Sequence, residues 1–330
     1  MSNPPVAENA IIDMAGVTRQ FNGVTAVRDM SLTVPAGRIL GLIGPSGSGK
    51  TTAIRMLTGT LRPSEGRIRV LGEEPLHFSR AVREQIAYMP QLFSLYPDLT
   101  ARENVGFVAA LYGISWFGRR RRVKRALEIV ELWDARNRRA GRLSGGMQRR
   151  LELACAIVHE PSVLFVDEPT SGIDPMLRLS IWNELRQMRD EGRTLLVTTQ
   201  VVAEAEYCDQ VALIADGTLI ALGSPESLRE SVFGGDMLEL ETDHAVDPEI
   251  VAGVGEVLSV TQPAARKLML VVTDAGTATP LLMDAFSRHS VNVVRLEEHQ
   301  PTFDEVFASL VQRHRAQNGT DAGAKARDAA

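Results

Sequence analysis

The chain has 330 residues, 44% of them apolar and 23% charged, and a formal net charge of -5. That length exceeds one average domain and predicts a large domain beside a smaller one, each able to bury a core. The charge excludes a surface that binds nucleic acid throughout, and no apolar run approaches the roughly 18 residues that cross a bilayer.

The N-terminal stretch Met1-Ser2-Asn3-Pro4-Pro5 lacks a basic-then-apolar leader pattern, and residues 1–9 read as flexible. Ile11–Val17 alternates loosely, Phe21-Asn22-Gly23 reads as a turn, and Met30–Val34 follows as a second short strand. These two predict an antiparallel sheet beside the main one. Next comes the apolar run Ile39–Ile43, then Gly44-Pro45-Ser46-Gly47-Ser48-Gly49-Lys50-Thr51-Thr52, then the helix-compatible Ala53–Leu57. Strand, glycine-rich turn and helix start are the setting in which G-x-x-x-x-G-K-[ST] cradles phosphates. Gly44, Gly47 and Gly49 let the backbone wrap an oxyanion, and the N–H groups around Ser46 face it at the positive helix end. Lys50 is placed to reach between β- and γ-phosphates, and the Thr51 hydroxyl to hold Mg²⁺. Phe21 precedes this loop closely enough to be a platform for an adenine ring. An aromatic filling a sheet edge reads equally well there.

Leu61–Gly66 is a turn and Arg67–Gly72 a strand; Ile86–Pro90 is another short strand, ending at Gln91. A glutamine at such a strand end can contact a metal or an attacking water, though most are ordinary loop residues. Leu99–Val158 reads mainly as helix, with Thr100 and Glu103 at capping-box spacing. Within it Arg119–Arg125 forms a strongly basic run with Val123 its one uncharged member. A solvated helix start, contact with anionic lipid headgroups and nucleic-acid binding are all open to it. No aromatics interleave with the run, but Trp116 and Phe117 precede it, which suits a membrane-facing or partner-facing edge.

Leu143-Ser144-Gly145-Gly146-Met147-Gln148 is a second anion-binding helix start, about a hundred residues after the first. One nucleotide needs only one such site. The economical reading is a dimer in which each nucleotide lies between the glycine-rich loop of one chain and Ser144-Gly145-Gly146 of the other. A structural cap accounts for Ser144 without requiring both glycines. Val163–Val166 is a short buried strand ending in Asp167 and Glu168. Asp167 is placed to support Mg²⁺ through water, and Glu168 to polarise the water that attacks the γ-phosphate. Thr194–Gln200 is the next strand, followed by an acidic helix with Glu204 and Glu206; Val211–Ala221 is a hairpin, and Ser224 caps a short helix with Pro225 at its first turn. Cys155 and Cys208 lie in apolar or helical surroundings and read as buried free thiols.

Residues 10–230 resemble the ATP-binding subunit of an ABC transporter, most closely the multidrug and antibiotic-export group. Gly44–Thr51 matches the Walker A loop, Leu164–Glu168 Walker B with its catalytic glutamate, and Gln91 the Q-loop. Leu143–Gln148 matches the LSGGQ signature, with Met147 where glutamine is usual. Ser171–Asp174 matches the D-loop, placing Asp174 near the nucleotide, and Phe21 stands at the adenine-stacking aromatic. The departure is Gln200, where the family carries a histidine contacting the γ-phosphate. Glutamine keeps a donor and an acceptor but cannot carry a proton near neutral pH.

The resemblance implies an α/β P-loop NTPase fold with an antiparallel β subdomain and a helical subdomain at about 99–158. It implies ATP and Mg²⁺ as ligands, and ATP hydrolysis coupled to export through a separate transmembrane permease. Lys50, Gln91, Glu168 and Gln200 would carry catalysis; Thr51, Gln91 and Asp167 would hold the metal. The expected setting is a homodimer, or a heterodimer with a second ATPase subunit, peripheral on the cytoplasmic face of the membrane, with no nucleic acid. A soluble ABC-type ATPase of DNA repair or translation would share these motifs, and Gln200 would also suit a non-hydrolysing, nucleotide-gated regulator. From Gly235 the texture changes. Strands at 237–242, 257–260, 267–272 and 291–296 and helices at 279–286 and 301–310 predict a small α+β domain over 235–312. His289 and His299 are too isolated to argue for metal, and 316–330 is small, polar and expected to be disordered.

Overall fold

The structure is a computed structural model that describes residues 10–91 and 95–327. The N-terminal stretch expected to be flexible and residues 328–330 of the expected disordered tail lie outside the described residues. Two compact units divide between Ser224 and Pro225.

The first unit is built on nine strands: β1 (Ala10–Phe21), β2 (Val24–Pro35), β3 (Ile39–Ile43), β4 (Glu65–Val70), β5 (Ile86–Met89), β6 (Val163–Asp167), β7 (Thr194–Thr199), β8 (Gln210–Ala215) and β9 (Thr218–Gly223). They form one sheet in the order β4-β1-β2-β9-β8-β3-β7-β6-β5. The short opening strands expected from sequence are in fact long, and with β4 they make an antiparallel ribbon. That ribbon is continuous with the main sheet, joined at Arg28 and Thr218 of β2 and β9. On the other side, β8, β3, β7, β6 and β5 run parallel. Every residue of β3, β6 and β7 is buried, the pattern of strands covered on both faces.

Among the described residues, six α-helices complete this unit: α1 (Lys50–Leu57), α2 (Arg80–Arg83), α3 (Ala101–Leu111), α4 (Trp116–Ile129), α5 (Gly145–Ile157) and α6 (Pro175–Asp190). The capping box predicted at Thr100 and Glu103 is present in full at the start of α3. The expected acidic helix after Gln200 is a 3-10 turn, Val202–Tyr207, in which Glu204 is buried against Arg178 at 3.5 Å. Cys155 and Cys208 are free and buried.

The second unit has α7 (Pro225–Phe233), β10 (Asp236–Thr242), α8 (Glu249–Ala252), β11 (Val257–Ala264), β12 (Lys267–Val272), α9 (Ala275–Arg288), β13 (Val293–Glu298) and α10 (Phe303–Arg327). Its antiparallel sheet runs β11-β12-β10-β13 over a core that includes Leu240, Leu270, Leu282 and Phe286. Helix α9 begins four residues before the expected Thr279, because Asp274 accepts a hydrogen bond from the Thr277 N–H and leaves Pro280 inside the helix. Helix α10 runs from Phe303 to Arg327.

Candidate nucleotide site

The register of the parallel strands determines which side chains meet. Ile43 pairs with Thr199, Thr198 with Asp167, and Met89 with Val166, so β3, β7, β6 and β5 end level with one another. Gly44, Gln200, Glu168 and Gln91 lie one or two residues past those ends. This is the carboxyl edge where open α/β sheets bind ligands. A cavity of about 170 Å³ opens there, lined by Ala26, Ser46, Gly47, Gly49, Lys50, Thr51, Thr52, Gln91, Glu168 and Gln200.

The loop needs glycine at particular points. Gly49 adopts φ 101°, and a Cβ there would lie 2.5 Å from the Ala26 carbonyl oxygen. At Gly44 a Cβ would come within 2.2 Å of the Ile214 carbonyl. The chain then enters α1 at Lys50, whose buried ammonium donates to the carbonyls of Gly44 (2.8 Å) and Pro45 (2.9 Å). Burial draws the Lys50 pKa below its ordinary value, against the opposing pull of Glu168 and Asp167. Glu168 stands 3.6 Å from that ammonium.

Glu168 is the convergence point. Gln91 Nε2 donates to its Oε2 at 2.8 Å, and Gln200 Nε2 lies 2.8 Å from both carboxylate oxygens. Its backbone is left-handed, φ 48°, an uncommon conformation for a residue with a Cβ. The Glu168 N–H meets the Thr198 carbonyl (3.1 Å) and hydroxyl (3.0 Å), which hold this conformation in place. Asp167 Oδ1 accepts from Thr198 Oγ1 at 2.5 Å and from Thr51 Oγ1 at 3.4 Å. Its Oδ2 is buried with no hydrogen-bond partner, an orphan that a hydrated cation would satisfy. Burial and the Asp167 charge raise the pKa of the Tyr88 phenol.

Two residues that sequence reasoning did not single out support this arrangement. Thr198 ties Asp167 and Glu168 to β7. Arg149, on α5, donates to the carbonyls of Pro90, Asp167, Glu168 and Pro169 at 2.9–3.2 Å and to Glu152 Oε2 at 2.6 Å. One guanidinium thus fixes the main chain just before Gln91 and on both sides of Glu168.

The remaining predicted residues lie outside the cavity. Phe21 ends β1, 41% exposed, with the Arg19 guanidinium 4.5 Å from its ring centre. Ser144 caps α5 by accepting from the Met147 N–H, and Asp174 caps α6 by accepting from the Leu177 N–H. A Cβ on Gly146 would sit 2.0 Å from Leu177 Cδ2, so packing supplies a structural reason for this glycine that the cap alone does not. Gly145 has open space around its Cα. Among the described residues no group of three or more His, Cys, Asp or Glu could hold a metal unaided, and no helix is long and apolar enough to cross a membrane.

Residues 27–171 match the ABC transporter family, and residues 223–311 match the C-terminal domain of DrrA1-3-like ATP-binding proteins. A probable multidrug ABC transporter ATP-binding protein of Escherichia coli, YbhF, is 33% identical over 305 residues, covering 92% of this chain. The chain spans only about half, 52%, of that relative's length. The Nod factor export ATP-binding protein I of Rhizobium leguminosarum is 36% identical over 92% of this chain and 95% of its own. A solved dimeric, post-hydrolysis ATP-binding cassette bound to ADP and Pi superposes with a TM-score of 0.59 at 26% identity, over 64% of this chain and 98% of that one. Matched over nearly the whole of the Rhizobium protein, and carrying the phosphate loop and paired carboxylates at one sheet edge, the chain belongs to the family of ABC transporter ATP-binding subunits.

Proposed function

We propose that the chain binds ATP with Mg²⁺ at the carboxyl ends of β3, β5, β6 and β7 and hydrolyses it to power export through a separate permease. The observation that carries this reading is the convergence of Gln91, Gln200 and Lys50 on the Glu168 carboxylate. A glutamate held by two neutral amides beside a lysine is a positioned proton acceptor at the mouth of a phosphate-sized cavity. In the proposed reaction, Glu168 takes a proton from water as its oxygen bonds the γ-phosphorus and the bond to the β–γ bridging oxygen breaks. Gln91 and Gln200 orient that water and the carboxylate. Lys50 exchanges its two loop carbonyls for phosphate oxygens and balances their charge. The Thr51 hydroxyl, Asp167 and Gln91 would hold Mg²⁺, which when bound neutralises charge on the phosphates.

Ser144, Gly145 and Asp174 do not line the cavity of their own chain. We assign them to the nucleotide of a second copy, a reading supported by the dimeric state of the solved cassette. Phe21 would stack on the adenine. Export is supported by the Rhizobium relative, a Nod factor export ATP-binding protein, and a peripheral position on the cytoplasmic face beneath a permease is part of the same proposal.

The test compares purified wild type with Glu168→Gln. Loss of the carboxylate is expected to lower ATP turnover by about a hundredfold or more, while the variant mass doubles in ATP. Wild type without turnover, or a variant as fast as wild type, would overturn the assignment.

A further inference from the structure

The basic run on α4 does not act as one patch. Arg119 donates to the Ile114 carbonyl at 3.0 and 3.3 Å and so closes the turn behind it. Arg122 and Arg125 both face Glu160. Lys124 pairs with Glu128 at 3.5 Å, with both side chains about half exposed. Arg120 and Arg121 point outward with no acidic partner among the described residues.

Trp116 and Phe117 lie one helical turn before those two arginines, so rings and guanidinium groups share a flank. Trp116 is 78% and Phe117 93% exposed, and Leu111, at the other side of the turn, is 70% exposed. A lone exposed apolar residue needs no explanation, but two adjacent rings left almost wholly in water beside uncompensated cations do. The turn that carries them is held firmly. Tyr112 stacks on His159 with ring centres 3.7 Å apart, and Val123, Ala126 and Leu127 anchor the following helix in the core. The rings are therefore presented in place and lose little freedom on docking.

We propose that the flank formed by Trp116, Phe117, Arg120 and Arg121 binds a bilayer surface containing anionic phospholipid. The rings enter the headgroup and upper acyl region while the guanidinium groups meet lipid phosphates, the division of labour of an interfacial helix. Charge complementarity selects this occupant. The chain carries a net charge of -5, so the exposed positive flank is a local exception that an anionic surface would attract.

The experiment is flotation of the purified full-length chain with phosphatidylcholine vesicles, with and without about 30 mol% phosphatidylglycerol. The expected result is binding to the anionic vesicles alone, weakened as salt is raised, with a blue shift of tryptophan emission. Arg120→Glu/Arg121→Glu is expected to lower partitioning by about tenfold or more. Trp116→Ala/Phe117→Ala is expected to lower it and to remove the emission shift. Equal thermal melts of all forms show that the fold is kept. The proposal is overturned by no flotation with anionic vesicles, or by flotation that these variants leave unchanged. No permease is present in the flotation, so its failure is distinct from failure of the ATP-driven transport reading.

Discussion

Glu168 is the residue on which the rest of the site closes, and the two amides that hold it do not titrate. Gln200 Nε2 reaches both carboxylate oxygens at 2.8 Å, so this contact is the same at every pH at which the carboxylate is ionised. An imidazole in its place would ionise near pH 6.5 and, once charged, would clamp the carboxylate as an ion pair. The turnover of Gln200→His divided by that of wild type is therefore expected to fall by about threefold or more as pH drops from 8 to 5.5. Steady-state rates across that range decide it, and a flat ratio would mean the position exchanges no proton with the reaction. Much of this site was legible in sequence because its parts are short contiguous motifs: Gly44–Thr51, Asp167-Glu168, Gln200. Thr198 and Arg149 were not. The role of Thr198 arises from the β6–β7 register that sets it opposite Asp167. Arg149 acts on main-chain carbonyls, which every residue carries and which leave no mark in sequence.

At the scale of elements, α5 and α6 are joined by a buried polar contact that costs stability at neutral pH. Glu184, on α6, stands 3.8 Å from Arg150 Nε, and neither of its carboxylate oxygens has a hydrogen-bond partner. Burial raises its pKa to about 7, more than the Arg150 charge offsets. The folded protein therefore keeps a proton that the unfolded chain releases as pH passes the ordinary carboxylate range near 4.5. Stability from this group is lost as pH rises from there and is fully lost above about 7. Glu184→Gln mimics the protonated form at every pH, and Arg150 keeps Glu131 at 3.0 Å and Ser180 at 2.6 Å as partners. The variant is expected to match wild type at pH 5 and to exceed it by roughly 2 kcal/mol at pH 8. Urea unfolding at the two values checks this, and an equal gain at both would assign the effect to packing. The sequence reading placed α5 within the helical stretch Leu99–Val158 but did not single out α6, and it could not show this contact. Glu184 and Arg150 are separated by a strand, and only the packing of the two helices brings them together.

The whole molecule divides between Ser224 and Pro225, at the start of α7. Ending the first domain near residue 230 would cut α7, whose buried face includes Pro225, Leu228 and Val232. That helix is tied to the second unit: Arg229 donates to the Pro301 carbonyl and lies over the Phe303 ring, and Arg313 donates to the carbonyls of Ser231 and Val232. The tie is made by Pro301, Phe303 and Arg313, more than 70 residues further on, so no local pattern shows it. Each unit has a hydrophobic core of its own, one including Leu40, Ile54 and Phe165 and the other Leu240, Leu270 and Phe286. A unit of about a hundred residues with a closed core is large enough to fold alone. A chain ending at Ser224 is accordingly expected to unfold cooperatively, with its midpoint within about 3 °C of the corresponding transition in the full chain. Residues 225–330 alone should give a second, separate transition. Calorimetry of the three forms is decisive. Two transitions in the full chain, each reproduced by one fragment, establish independent units. Loss of cooperative unfolding in the shorter chain would show that the ATP-binding unit depends on α7 and the residues beyond it.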